Sequence, residues 1–183
     1  MGKIYLTADS HINHDLERVY GPRGFKSIRE SDETIIQNWI NTVSEEDTVI
    51  VAGDFIMGAD FDYVRYVVNI LPGKIILVKG NHDSDAKLQI YQEFVGKIEV
   101  LDIKRLTYRD MNFYISHYPT ITANFNDTSK TRVINIFGHT HSTEKFYEGN
   151  PYMYNVACDA HNCTPVSLDQ IVDEITAKAE EKT

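Results

Sequence analysis

Five apolar runs in this 183-residue chain stop on residues able to bind metal, and that coincidence constrains the fold more than any other feature. Lys3–Ala8 runs into Asp9, Thr48–Ala52 into Gly53-Asp54, and Lys74–Val78 ends just before Gly80-Asn81-His82-Asp83. Met111–Ser116 runs into His117, and Val133–Phe137 into Gly138-His139-Thr140-His141. Short β-branched runs of this kind read as buried strands. In open α/β sheets the carboxyl ends of strands form the edge where ligands bind. The pattern therefore predicts strands that deliver Asp9, Asp54, Asn81, His117 and His139 to one rim.

Between the first three runs the sequence carries helical periodicity. Ile36, Ile40 and Val43 share a face of a helix expected over Asp32–Val43, with Ile35 and Trp39 beside them. A second helix is expected over Phe61–Ile70, ended by Leu71-Pro72-Gly73, and a third over Ala86–Phe94. Strand alternating with helix implies parallel pairing with crossover connections. Ser10–Glu30 reads as a long loop, a length that is uncommon without function. From Ile98 the chain becomes β-rich: Ile98–Ile103, Lys104–Tyr108, Met111–Ser116, Val133–Phe137 and Tyr152–Val156, with Arg109-Asp110 as a hairpin turn. Ser167 and Gln170 form a capping-box pattern that opens a last helix over Leu168–Ala177, and the tail Lys178–Thr183 is expected to fray. The expectation is a single domain over 1–183 of mixed α/β class.

The chemistry of the fragments points to metal. Five of the seven histidines lie inside them. Imidazoles, carboxylates and one carboxamide suit a pair of divalent ions of the Mn, Fe, Zn or Ni kind. Two such ions a few ångströms apart favour in-line attack on phosphorus. Asp9 and His11 are two residues apart at a strand end and can reach one ion. Asp54 would bridge the pair, one oxygen on each, and trap a hydroxide between them. Asn81 offers a neutral carbonyl that tempers the charge. His82 would stay off the ions and face the substrate, with Asp83 holding its ring. The same fragment also reads as a helix cap, with Asn81 or Asp83 capping residues 84–94. His139 and His141, spaced as His-x-His, point the same way.

Taken together and in this order, the fragments Asp9-Ser10-His11, Gly53-Asp54, Gly80-Asn81-His82-Asp83, His117 and Gly138-His139-Thr140-His141 resemble the signature of the calcineurin-like metallophosphoesterase superfamily. The likeness covers residues 9–141. It is closest to the small, compact bacterial and phage members, which share the histidine-bearing first loop, the Asn38-Trp39 helix and the closing Asn155-Val156 strand. The resemblance implies a four-layer α-β-β-α sandwich, two β-sheets flanked by helices. It implies Asp9, His11, Asp54 and His141 as ligands of a first metal. Asp54, Asn81, His117 and His139 are then ligands of a second. It implies His82 as the residue that stabilises the phosphoryl transition state or protonates the leaving oxygen.

Substrate contacts are expected from the first loop and the rim. His14, Arg18, Arg23, Lys26 and Arg29 follow His11, and arginine grips phosphate oxygens bidentately. Tyr118 and the loop Thr120–Arg132 adjoin His117 and suit an aromatic rim for a nucleobase. The expected reaction is hydrolysis of a phosphate ester, a diester of nucleotide type ahead of a monoester or phosphoprotein, with a non-catalytic scaffold of the same fold as the remaining alternative. A net charge of −9 argues against broad binding to a nucleic-acid backbone. No run approaches the ~20 apolar residues of a membrane helix, and the start Met1-Gly2-Lys3-Ile4 has no signal-peptide layout. A cytoplasmic protein is expected. Cys158 and Cys163, with His161 between them, read as ordinary small residues rather than a zinc clip.

Overall fold

A computed structural model describes residues 2–122 and 132–181. In chain order the first half comprises β1 (Ile4–Thr7), α1 (Glu17–Tyr20), α2 (Ile28–Thr42), β2 (Thr48–Val51), α3 (Phe61–Ile70), β3 (Lys74–Val78), α4 (Asp85–Tyr91) and β4 (Ile98–Leu101). The second half comprises β5 (Lys104–Tyr108), β6 (Met111–Ile115), β7 (Val133–Phe137), β8 (Met153–Asn155), β9 (Val166–Ser167) and α5 (Leu168–Glu180). One sheet has the order β4-β3-β2-β1-β9 and the other β5-β6-β7-β8. The first four strands pair in parallel, and β9 closes the edge antiparallel to β1. In the second sheet β5 and β6 form a hairpin, while β6, β7 and β8 run parallel.

Side-chain alternation along the first sheet builds two cores. Tyr5, Val49, Val51, Ile75 and Leu77 face α2, α3 and α4, joining Ile35, Trp39, Val64, Val67, Val68 and Tyr91. The intervening Leu6, Ala8, Ile50, Ala52, Ile76 and Val78 face the second sheet and meet Phe113, Ile115, Ile134, Ile136 and Tyr154. Strands buried on both faces explain the uninterrupted apolar runs of the sequence. Helix α5 lays Leu168, Ile171, Val172 and Ile175 on this inter-sheet core. Its polar side reaches both ends of the second sheet, Asp169 accepting from Tyr108 and Glu174 from Lys145 and Tyr154. The architecture is thus two sheets flanked by helices, as the resemblance implies. Among the described residues no helix is long and apolar enough to cross a membrane.

Several boundaries differ from the sequence expectation. The loop after β1 contains the short α1, and α2 starts four residues early, because Ser27 caps it by accepting from the Glu30 amide and Glu30 accepts from the Lys26 amide. Neither Asn81 nor Asp83 caps α4, which starts behind Ser84. The last helix runs through Glu180 instead of fraying from Lys178, whose ammonium pairs with Glu181 at 2.7 Å. Strand β9, two residues long, is too short to carry a period and has no counterpart in the sequence expectation. Arg109 and Asp110 do form the hairpin turn, both with positive φ (46° and 61°) as a tight two-residue connection requires.

Asp32 lies inside α2 rather than at its start. Its buried carboxylate accepts from the Asn13 amide at 3.0 Å and from the Tyr63 hydroxyl at 3.2 Å, tying the first loop to α2 and α3. Burial pushes this carboxyl up to about 6, against the partial relief of those two donors. The folded protein then holds a proton that the unfolded chain releases near pH ~4. Stability contributed here falls as pH rises from ~4 to about 6 and is level above. Urea unfolding of the parent and of Asp32→Asn across that window is expected to show the slope in the parent and its loss in the variant. Trp39 is fully buried against Phe55 and donates its indole N–H to the Pro72 carbonyl at 3.0 Å. Trp39→Ala is expected to cost about 3–5 kcal/mol in the same measurement.

Candidate metal centre

The strand ends do gather at one rim. Asp9 follows β1, Asp54 follows β2, Asn81 and His82 follow β3, His117 follows β6, and His139 and His141 follow β7. The ends of β1, β2 and β7 turn sharply: Asp9, His11, Asp54, His139 and His141 all have left-handed backbones, with φ between 48° and 66°. For residues other than glycine such conformations cost roughly 1–3 kcal/mol each and cluster at functional sites. The turn lifts each side chain over the end of its strand. Backbone bonds lock the turns together, the Asp9 amide donating to Gly53 O (3.0 Å) and the His11 amide to Asp54 O (3.1 Å).

Three glycines of the fragments allow the segments to touch, Gly53 lying against His117 and Gly80. A Cβ on Gly80 would collide with the Asp54 carboxylate and amide, and a Cβ on Gly138 with the Asp9 carboxylate. Gly138→Ala is therefore expected to displace Asp9 and abolish divalent-metal uptake, read by elemental analysis of the purified variant.

The floor of the site is buried and the rim is open. Asp9, His11, Asp54 and His117 are 0–3% exposed, whereas the His82 and His141 side chains are 48% and 36% exposed. Asp54 Oδ2 lies 3.6 Å from His11 Nε2, 3.6 Å from His117 Nε2 and 4.0 Å from His82 Nε2. Asp9 Oδ1 lies 3.9 Å from both His11 Nε2 and His141 Nε2. Among the described residues two sets of acidic and imidazole donors stand close enough to share an ion, Asp9 with His11 and His141, and Asp9 with Asp54 and His117. Asn81 and His139 adjoin the second set: Asn81 Oδ1 is 2.9 Å from His117 Nε2 and 3.0 Å from His139 Nδ1, and the two ring nitrogens are 3.2 Å apart.

These residues fit divalent metal. Asp9 Oδ1 and His11 Nε2 are buried with no hydrogen-bond partner, a costly arrangement unless something satisfies them. His117 Nδ1 faces the Ala52 carbonyl at 2.9 Å, so it carries the proton and leaves Nε2 as a bare lone pair. That lone pair points at a second acceptor, Asn81 Oδ1, and a cation reconciles the two. Spacings near ~3 Å are those of neighbouring donors around an ion ~2.1 Å away. Burial raises the Asp9 carboxyl well above its ordinary value, His141 opposing, and burial with the neighbouring His141 and Arg23 lowers His11 to about 2. His11 therefore presents a neutral imidazole at any working pH.

The remaining residues divide. His14 joins the cluster, its Nδ1 2.9 Å from His11 Nδ1 and its ring 5.6 Å from that of His82. Tyr118 is half-exposed and packs its ring 4.6 Å from His139 and 5.1 Å from His117. Arg18 is exposed on α1. Arg23 does not face a phosphate. Its side chain is 3% exposed, and its fork is filled by Asp159 and the Asp9 and Ser10 carbonyls. Asp83 does not hold the His82 ring. Its carboxylate accepts from the amides of Asp54 (2.9 Å), Phe55 (3.3 Å) and Gly80 (2.8 Å), pinning the third strand end to the second. His82 is placed instead by its amide, which donates to Asp54 Oδ1 at 2.8 Å, and by its carbonyl, which accepts from the buried Lys87 ammonium. His161 is held by the Asn155 carbonyl, and Cys158 and Cys163 are free thiols. Of the loop expected beside Tyr118, residues 123–131 lie outside the described residues.

Sequence reasoning missed Lys87 and Asp159. Lys87 lies on α4, five residues past His82, and Asp159 follows the closing strand. Neither sits in a recognisable fragment; both act through contacts that only the fold creates.

Residues 3–157 match the calcineurin-like phosphoesterase superfamily domain. An uncharacterized protein of Methanocaldococcus jannaschii is 32% identical over 179 residues, covering 94% of this chain and 90% of its own. The crystal structure of a protein of unknown function from Aquifex aeolicus shares 25% identity at a TM-score of 0.71, covering 94% of this chain and 99% of its own.

Proposed function

The chain belongs to the calcineurin-like phosphoesterase superfamily, and from that premise we propose that it is a binuclear phosphodiesterase acting on a small, nucleotide-like phosphate diester. The observation that carries the reading is the convergence of buried acceptors, Asp9 Oδ1 and His11 Nε2 above all, within a cluster of donors spaced to share an ion. In this reading residues 1–183 act as one domain without a separate cap, in the cytoplasm. Asp9, His11, Asp54 and His141 hold one ion, and Asp54, Asn81, His117 and His139 hold the other. The position of Asp54 Oδ2, equally far from His11 Nε2 and His117 Nε2 at 3.6 Å, supports its role as the bridge. Mn²⁺, Fe, Zn²⁺ and Ni²⁺ all suit these nitrogen and oxygen donors.

When bound, the ions supply Lewis acidity toward a phosphoryl oxygen and an acidified water for in-line attack. The protein supplies position. His82 stands at the rim, half-exposed, with its Nε2 turned toward the donor cluster and free of the strand-end bonds. It is placed to neutralise charge on a non-bridging oxygen or to give a proton to the departing one. His14 stands against His11 and His82, and Tyr118 against His117 and His139; Arg18, exposed on α1, is the remaining substrate contact in this reading. An open rim of Asn81, His82, His139 and His141 admits a phosphorus with substituents on both sides, which favours a diester. The acidic surface, net −9, favours a small substrate over a nucleic-acid backbone.

The test is hydrolysis of bis-p-nitrophenyl phosphate by metal-stripped protein, with and without Mn²⁺, beside p-nitrophenyl phosphate. Metal-dependent turnover of the diester is expected to exceed that of the monoester. His82→Ala is expected to lower kcat by about 10²–10³ with metal content unchanged. Asp54→Asn is expected to lose metal and turnover together. Absence of turnover with every divalent ion, in protein shown to hold two, would sink the catalytic reading.

A further inference from the structure

Behind His141 lies a buried ion pair that the sequence did not disclose. Asp159 belongs to a short helical turn, Cys158–Ala160, which follows β8. That turn is fastened beside β1 by the parallel bridge between Ala8 and Ala157 and by the Cys158 amide, which donates to Ala8 O at 2.9 Å. Asp159 Oδ2 accepts from His141 Nδ1 at 3.1 Å. Both of its oxygens also accept from the Arg23 fork, Oδ1 from Nε at 3.1 Å and Oδ2 from a terminal nitrogen at 2.9 Å. The Arg23 and Asp159 side chains are 3% and 8% exposed. The remaining reach of the guanidinium goes to the backbone of the first fragment, to Asp9 O at 2.6 Å and Ser10 O at 3.2 Å. One buried cation thus fixes both the backbone that carries Asp9 and the carboxylate behind His141.

We propose that Asp159, held by Arg23, is a positioning residue that sets the affinity of the ion shared by Asp9 and His141. A carboxylate facing Nδ1 keeps the proton there. The lone pair of His141 is thereby assigned to Nε2, the atom that faces Asp9 Oδ1 at 3.9 Å. It also makes that imidazole a stronger donor, and loss of such a partner typically weakens a metal site 10–100-fold. In the second set His117 is oriented by a neutral group instead, the Ala52 carbonyl. The two ions should therefore respond differently when Asp159 changes. The inference rests on the binuclear reading above.

The experiment is calorimetric titration of metal-free protein with Mn²⁺, with thermal unfolding of the metal-free forms measured in parallel. His141→Ala marks which binding event belongs to that half of the centre. Asp159→Asn is expected to weaken the same event 10–100-fold, to leave the other event unchanged and to magnify the paramagnetic signal of isolated Mn²⁺. The double variant Arg23→Met/Asp159→Asn removes the cation along with its partner, so no buried charge is stranded, and it should show the same selective loss. Wild-type affinity at both events in Asp159→Asn would overturn the proposal. So would equal weakening of both events in step with a lower melting temperature, the mark of a purely structural pair. A parent protein that takes up one ion overturns the binuclear reading instead, and if Asp159→Asn leaves the affinity for that single ion unchanged the positioning role falls as well.

Discussion

The left-handed step at the ends of β1, β2 and β7 is the constraint on which the rest of this protein depends. A strand that continued straight would carry Asp9 or Asp54 past the rim. β3 and β6 deliver Asn81 and His117 without such a step. The five left-handed residues on the other three strand ends, each strained, persist because the β-core on one side and the interlocked amides on the other leave the backbone no cheaper course. Replacing any of these residues with glycine would relieve strain and lose the donor. The site is therefore held at the expense of local stability, which the two apolar cores make good.

Charge follows from that geometry. Drawn together and desolvated, the Asp9 carboxylate and the His11 imidazole resist ionisation. Asp9 is driven toward its neutral form and His11 kept from becoming cationic, in both cases first by burial. Farther out the balance reverses. Burial would raise Asp159 too, but hydrogen bonds from His141 and Arg23 outweigh it and hold the carboxyl below its usual range. The result is a centre in which two inner atoms, Asp9 Oδ1 and His11 Nε2, lack partners, surrounded by charged groups that have them. Asp83 and Lys87 belong to that outer layer: each spends its charge on backbone amides or carbonyls, and each fixes a strand end instead of meeting a ligand.

Much of this is legible in the sequence because strands and donors are local signals. The runs at Lys74–Val78 and Phe61–Ile70 have the same bounds in sequence and structure, since a proline-glycine stop and a β-branched run need no tertiary information. The donors are legible because each directly follows a run. Arg23 misleads because composition suggests a basic loop near phosphate, whereas its actual partner, Asp159, lies far along the chain and no spacing connects the two. Asp83 misleads because adjacency to His82 in sequence suggests adjacency of side chains, whereas Asp83 is spent on the Asp54, Phe55 and Gly80 amides and His82 faces the open rim. Helix α2 begins early because the Ser27–Glu30 cap, present in the sequence, outweighs the acidic run after it as a start signal.

The donors come from both sheets, and this has a consequence for how the sandwich tolerates error. Strands β6 and β7 pair Ile115 with Ile136, so that His117 and Gly138 emerge at one level, joined by the Gly138 amide to His117 O at 3.0 Å. A slip of one residue would exchange the faces of β7 and move its end by about 3.3 Å. Nitrogen and oxygen atoms now 2.9–3.2 Å apart would part, and Asn135 would take the place of Ile134 and Ile136 against the inter-sheet core. Core and rim thus enforce one register: burial selects the face, and the rim adds an ångström-scale condition that burial alone does not impose.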